Sequence, residues 1–542
     1  MNAHRRTRPA LALVAAAVAA CLQAAPAAAE APAAMKQAVA AGVEQRAKLV
    51  QEMVDSVFSF AEPGFQEVRT SDYLTGILEK NGFKVTRGVA GIPTAWTATW
   101  GEVGPMIALG SDIDALLGLS QTPGVPALKP MVTGAPGHGE GHNSGMPLII
   151  AAALATKDVM VRNGVKGRLM VWPGVAEELL ATKAFYVRDG LFKDVDATIF
   201  THVSNDFSTG YGPSGNNGMV SVEYTFKGRT SHAAGAPWSG RSALDAVEVM
   251  NYAWNMRREH LPVTQRSHYV ITNGGGQPNV VPDSASVWYY FREQDFESIK
   301  NLYETGNTIA QAAAMATETT VTRQVLGYAA PNYGNKPMAE AAYKNIQAVG
   351  MPKWTDDDKA FARAVAENTR VPDFRNPRRN EIRPLNTEIA PLSAPDSRGA
   401  STGGGSDDIG DIMWTVPTIT IRYPSNIPNT TGHHVTAAIA MATPIAHKGA
   451  VAGAKAVAMT VLDLMTTPSL LAEAKDYFNN VQTKDMKYTP VLTAEDKPGI
   501  HLNRELMEQM RPAMSKFYYD PKKYPSYLDQ LGIKYPNVDA KP

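Results

Sequence analysis

Val50, Met53, Val54, Val57 and Phe58 recur at the three- and four-residue spacing of one helical face, and Tyr73 to Asn81 continues that rhythm. Ahead of them, Ala31 to Ala41 reads as an Ala-rich linker. The pattern then switches to short β-like runs, Thr94 to Trp100 and Met106 to Leu109, followed by a long apolar helix from Met146 to Asn163. Arg168 to Trp172 and Ala197 to Thr201 are strand-like again. Strands alternating with helices predict an α/β fold, a sheet covered by helices.

From about Met219 to Thr322 the rhythm changes. A strand (Val220 to Phe226), a helix (Ser242 to His260), two strands (Tyr269 to Thr272, Ala285 to Arg292), a helix (Phe296 to Thr317) and a strand from Thr320 to Val325 follow in turn. That order, β-α-β-β-α-β, is a ferredoxin-like unit able to form its own two-layer core. It predicts a domain over 218–327 inserted between two parts of a catalytic domain, 40–217 and 328–480. Arg370 to Gly405 is rich in Pro, Arg, Asn, Ser and Gly and reads as a long loop. From Asn480 onward Pro and Tyr interrupt short helical pieces, so 481–542 reads as a tail laid on the surface.

Composition narrows the function. The 542 residues carry 52 Lys plus Arg against 52 Asp plus Glu, which leaves no basic excess for nucleic acid and no polybasic membrane patch. Arg5, Arg6 and Arg8 precede an apolar stretch from Ala10 to about Ala20, and Ala27 and Ala29 supply an A-x-A cleavage signal before Glu30. Residues 1–29 therefore read as a signal peptide, which predicts a periplasmic or secreted protein. Val18-Ala19-Ala20-Cys21 also reads as a lipobox, the alternative being a lipid anchor at Cys21. No transmembrane anchor is expected past this segment. Cys21 is the only cysteine, so cleavage after Ala29 leaves a chain without disulfides or thiolate chemistry.

The eleven histidines matter for their company. Gly137-His138-Gly139-Glu140-Gly141-His142-Asn143-Ser144-Gly145 places Glu140 and His142 two apart on a Gly-rich loop, where the backbone can wrap an ion; a polar turn capped by Ser144 is the plainer alternative. Glu177 and Glu178 follow a strand, so one carboxylate can hold a metal while its neighbour faces water, or both can favour a helix N-terminus. His202 ends an apolar strand, a position that faces the ligand crevice of open α/β sheets. His433 and His434 stand side by side near the far end of the chain. Four separate segments thus offer carboxylate and imidazole donors, which suits zinc or a similar divalent ion.

The motif order DxDAL (Asp112 to Leu116), GHGxGHN, AEE, strand-His, GRTSHAA, NVVPD and GGGSDD resembles the aminoacylase and carboxypeptidase metallopeptidases. Within them it is similar to the amidohydrolase branch of p-aminobenzoyl-glutamate utilisation protein B and the plant auxin-conjugate hydrolases. The resemblance runs from Glu62-Pro63-Gly64 to His447-Lys448-Gly449. It implies metal ligands Glu140, His142, Glu178, His202 and His433, with spacing to Ile445-Ala446-His447 favouring His433 over His434. It implies Glu177 as general base and Asp114 as the residue that orients the metal site. His232 would stabilise the oxyanion, often across a dimer made by the inserted domain. Asn279 and Arg292 would bind a substrate carboxylate beside Gly404 and Gly405. That branch usually carries cysteine where Glu140 stands, and a carboxylate shifts preference toward oxygen-friendly ions.

The resemblance implies an exported, metal-dependent hydrolase of N-acyl or N-aroyl amino acids or dipeptide-like amides. It would use one or two divalent ions per subunit, zinc first, with manganese or cobalt as alternatives. A non-catalytic exported binding protein that kept the fold is the competing reading. Gly399-Ala400-Ser401-Thr402-Gly403 matches a G-x-S-x-G elbow on paper but lacks the apolar strand before it, so a serine hydrolase is not expected. The loop at Gly137 likewise has the wrong spacing for a dinucleotide fingerprint.

Overall fold

The computed structural model describes residues 30–179, 182–370, 380–395 and 404–539. The segment read as a signal peptide, Cys21 and Gly399 to Gly403 lie outside the described residues.

The Ala-rich stretch expected to be a linker is a helix, Ala33–Glu44. Alanine is the best helix former, and Met35, Val39 and Val43 recur at four-residue spacing to make one buried face. That face packs on the helices Gly145–Asn163 and Pro444–Thr466, so the first domain begins about ten residues earlier than its sequence suggested. Those two partners are long and apolar enough to cross a membrane, although no such run was expected; both are mostly buried inside the fold.

Helices Ala47–Phe60 and Val68–Lys80 follow. Strands β1 (Lys84–Arg87), β2 (Trp96–Trp100), β3 (Met106–Asp112), β4 (Arg168–Gly174), β5 (Ala197–Ser204) and β6 (Ser208–Thr209) then begin the large sheet. A short β7 (Gly212–Pro213) leads into the inserted unit, which holds β8 (Gly218–Lys227), β9 (Arg266–Asn273), β10 (Ser284–Glu293) and β11 (Thr320–Ala329). The return passes through β12 (Tyr333–Gly334), and β13 (Thr418–Pro424) rejoins the large sheet.

The large sheet runs β1-β2-β4-β3-β5-β13-β6, with β4, β3, β5 and β13 mutually parallel and the outer strands antiparallel. Strand β1 escaped the hydrophobic pattern because it is a mostly exposed edge. Strands β3 and β5 run three residues past the stretches their apolar residues marked. Of their polar ends, His202 lines the cavity described below, whereas Ser111 and Asp112 stay buried, Ser111 donating to the Thr201 carbonyl and Asp112 accepting from Lys183.

The inserted unit has the strand order β11-β8-β10-β9, all antiparallel, with helices Ala243–Arg257 and Phe296–Ala316 on one face. This is the ferredoxin-like arrangement the sequence predicts. Its helices begin on Ser242 and Asp295, whose side chains accept from the backbone N–H three residues on. It encloses a separate aromatic core in which Trp254 meets Phe291 at 4.7 Å between ring centroids. β7 and β12 pair with each other, so both crossings between the units lie side by side.

The last segment adds no sheet. Its helix Arg504–Met514 and the turn around Tyr527 lie along Ala47–Phe60: Arg511 pairs with the buried Glu62, and the Tyr527 N–H donates to Asp55 Oδ2 at 3.0 Å.

Candidate active site

The parallel strands β3, β4, β5 and β13 deliver their C-terminal ends to one crevice, where open α/β sheets bind ligands. β3 ends at Asp112, two residues before Asp114. β4 leads through Ala176, held at φ 53°, to Glu177 and Glu178. β5 presents His202. The loop before Gly145 brings Glu140 and His142, and its turn needs Gly141, at φ 122°, where a Cβ would also collide with Met441 Sδ. His433 sits at φ 55°. Left-handed backbone at two non-glycine residues beside the same cluster is strain of the kind that collects at functional sites.

These segments bring seven carboxylate and imidazole side chains around one centre. His142 Nε2 lies 3.7 Å from Glu140 Oε2 and 4.0 Å from Glu177 Oε2, and its Nδ1 lies 3.4 Å from Asp114 Oδ1 and 4.0 Å from Glu178 Oε1. His202 Nε2 is 3.4 Å from Glu140 Oε1, and His433 Nε2 is 3.1 Å from Glu140 Oε2 and 3.4 Å from Glu178 Oε2. Ligands bound tetrahedrally at about 2.0–2.1 Å from one ion stand roughly 3.3 Å from each other, and most of these separations fall near that value. Neither ring nitrogen of the buried His142 has a hydrogen-bond partner, nor does Asp114 Oδ1. His202 Nδ1–H donates to the Val203 carbonyl at 2.9 Å, which leaves the Nε2 lone pair facing the cluster.

The electrostatics describe a group short of positive charge. Burial and the nearby carboxylates of Asp112, Glu178 and Asp407 push Glu177 well above the ordinary carboxylate range. Burial and Glu140 do the same to Glu178. His142 is held well above its usual pKa despite its burial, because Asp114, Asp112, Glu178 and Glu140 surround it. Against its own burial, Glu140 is held low by the His433 hydrogen bond and by His202 and His142. A divalent cation would satisfy the orphaned His142 Nε2, with Nδ1 turned to Asp114, and would offset the crowded carboxylates. With oxygen and nitrogen donors only, the set fits zinc, manganese or cobalt.

Above the cluster opens a cavity of about 610 Å³ lined by Glu140, Glu177, Glu178, His202, Arg292 and His433 among others. Arg292 reaches it from β10 and donates to Ser406 Oγ at 3.2 Å. Gly405 lines the cavity, whereas Gly404 does not. His434 turns away: its ring accepts from the Thr436 N–H and caps the next helix, so the structure gathers His433 instead. Ser144 does not cap its helix through its side chain; its hydroxyl donates to the Gly141 carbonyl.

Two expected residues stand apart from this cavity. His232 is exposed, and its Nδ1 accepts from the Ala234 and Gly235 N–H groups. The Asn279 carbonyl accepts from Ala233 beside it. Within one chain they form a small cluster of their own on the inserted unit.

The sequence left other residues unassigned. Lys183 is fully buried between Asp112, at 2.6 Å, and Asp408. Burial raises Asp112 to about 7 even against that lysine. Asp112 and Asp408 stand in the quoted DxDAL and GGGSDD motifs, but nothing around Lys183 marks it. Glu177, Asp407 and Asp408 also bring carboxylate oxygens within 4.8 Å of one another. Arg422, on β13, is a further cavity residue the sequence did not flag.

Comparison with known proteins decides the family. Residues 214–318 match the peptidase dimerisation domain of the M20 family, the span of the inserted unit. A p-aminobenzoyl-glutamate hydrolase chain of Escherichia coli (strain K12) is 32% identical over 453 residues, covering 81% of this chain and 94% of that protein. The chain belongs to the M20 peptidase family. Another M20-type relative, the Xaa-Arg dipeptidase of Mus musculus, is 27% identical over 82% of this chain and 92% of its own length. The fold matches the crystal structure of an aminobenzoyl-glutamate utilization protein from Klebsiella pneumoniae with a TM-score of 0.52, at 16% identity, over 78% of this chain and 96% of that one. These M20 relatives are hydrolases of amide bonds, and this chain is an enzyme of that class.

Proposed function

We propose that this M20 enzyme is an exported, metal-dependent amidohydrolase that cleaves N-acyl or N-aroyl amino acids or dipeptide-like amides. The observation that carries the reading is His142, buried with both ring nitrogens unpartnered at the centre of three further carboxylate and imidazole segments. Glu140, His142, Glu178, His202 and His433 would hold one or two ions, zinc first, and Asp114 would orient His142. When bound, such an ion polarises the scissile carbonyl and lowers the pKa of water toward about 7.

Glu177 then takes the proton of the attacking water at a carboxylate oxygen and delivers it to the leaving nitrogen. Burial and neighbouring carboxylates favour its protonated form, which suits the second half of that cycle. Arg292, steadied by Ser406, would hold the carboxylate of the leaving amino acid with the Gly405 backbone beside it. His232 and Asn279 would serve the cavity of a second protomer, because the M20 dimerisation domain carries them and their own chain leaves them outside its cavity. Export rests on the sequence pattern of residues 1–29.

Chelation followed by reloading tests the reading. Amide hydrolysis should vanish in metal-free protein and return with zinc, manganese or cobalt. Full activity in protein shown to be metal-free would overturn it.

A further inference from the structure

One wall of the cavity carries a cation that the hydrolytic cycle does not use. Arg422 projects from β13, in register with His202 on β5 and Ser208 on the edge strand β6, and its exposed side chain lines the same cavity as Arg292. Among the described residues it pairs with no carboxylate. Its Nη1 lies 3.3 Å from His202 Nδ1, but that nitrogen already gives its proton to Val203 O at 2.9 Å and has no lone pair left to accept. A guanidinium offers five donors in a planar fork that matches a carboxylate. Here that fork faces a polar cavity also lined by Ser208, Thr209 and Thr420.

The two arginines line one cavity but stand beside different members of the cluster. Arg292 belongs to the Glu177 side, within that carboxylate's field and bonded to Ser406. Glu177 returns its proton to the leaving nitrogen, so the leaving amino acid occupies that side. Arg422 stands beside His202, where the other substituent of the carbonyl carbon must run.

We propose that Arg422 binds an anionic group on the acyl half of the substrate, so that the cavity selects amides carrying one carboxylate on the acyl group and another on the leaving amino acid. This rests on the amidohydrolase reading and adds a substrate class to it. The acyl chain must place its carboxylate a few bonds beyond the scissile carbonyl, as a succinyl group does.

The test compares N-succinyl-L-alanine with its uncharged isostere N-succinamoyl-L-alanine on the full, metal-loaded enzyme. Wild type should favour the succinyl compound in kcat/KM by about tenfold or more, the effect of one charge-assisted hydrogen-bonded pair. In Arg422→Gln the ratio should fall to near one. In Arg422→Glu the preference should turn toward the 4-aminobutanoyl analogue, a gain that misfolding cannot imitate. Titration calorimetry on Glu177→Gln reads binding without turnover and should show the same succinyl preference. Hydrolysis of both compounds at equal kcat/KM, or a ratio unchanged in Arg422→Gln, would overturn the role of Arg422 and leave the amidohydrolase reading standing. Absence of hydrolysis with a retained succinyl preference in calorimetry would do the reverse.

Discussion

The α/β half and the inserted unit both carry residues that the sequence singles out, but they hold them in opposite ways. In the α/β half, Glu140, His142, Glu177, Glu178 and His202 come from strand ends and one glycine-rich loop, sunk where the parallel strands stop. In the inserted unit, His232 and Asn279 sit on exposed loops and bond only to backbone and side chains near them. The first set is built by the core of one chain. The second has a core of its own, yet His232 and Asn279 lie outside the cavity of their own chain. A gathered cluster of candidate ligands and an outlying pair of residues therefore coexist in one polypeptide.

The sharpest way to probe the buried half is the adjacent glutamate pair. Glu177→Gln should lower kcat by roughly 10²–10⁴, the range for loss of a general base, with metal content unchanged by elemental analysis. Glu178→Gln should lose metal instead, and the opposite pattern would exchange the two roles. The exposed half is tested by mixing. His232→Ala and Glu177→Gln proteins should each be nearly inactive alone, and exchange of protomers should restore about a quarter of wild-type activity through one intact site per heterodimer. No recovery in verified heterodimers would mean that His232 does not act across the dimer.

A smaller effect separates the two cores. Trp254→Ala removes the centre of the inserted unit's aromatic cluster and should cost about 3–5 kcal/mol of that unit's stability, read by denaturant unfolding, while metal content stays at the wild-type level. The smallest effect comes from His138, which burial pushes down to about 3 and whose Nε2–H donates to Val57 O. Below its unfolded pKa of 6.5 the unfolded chain takes up a proton that the folded chain refuses, so stability is lost as pH falls from 6.5 toward 3. Between pH 6.5 and 5 this should amount to at most about 2 kcal/mol, and His138→Gln should flatten the slope by that much.

How far the sequence carried depended on how local each signal is. The glycine-rich loop, the Glu177-Glu178 pair and the β-α-β-β-α-β rhythm are each written within a short stretch, and the structure places them where their spacing implies. The first helix was hidden because alanine is equally at home in linkers, and only its packing on two distant helices distinguishes the cases. Lys183 and Arg422 left no trace because their neighbours arrive from 71 and 220 residues away. His433 and His434 could not be separated by spacing alone. Backbone geometry does so, with His434 spent on a helix cap and His433 turned back at positive φ.

The bond between His433 and Glu140 spans 293 residues of chain. An ion shared by the two would close a loop containing the whole inserted unit, and the entropy of such closures grows only with the logarithm of loop length. It would therefore act as a long-range staple in a protein whose single cysteine, Cys21, can form no internal disulfide. Because the loop can close only after residue 433 has been made and packed, high-affinity binding would report a chain that carries both parts of the ligand cluster. Each tenfold rise in free ion above its dissociation constant would add about 1.4 kcal/mol to the stability of that closed form.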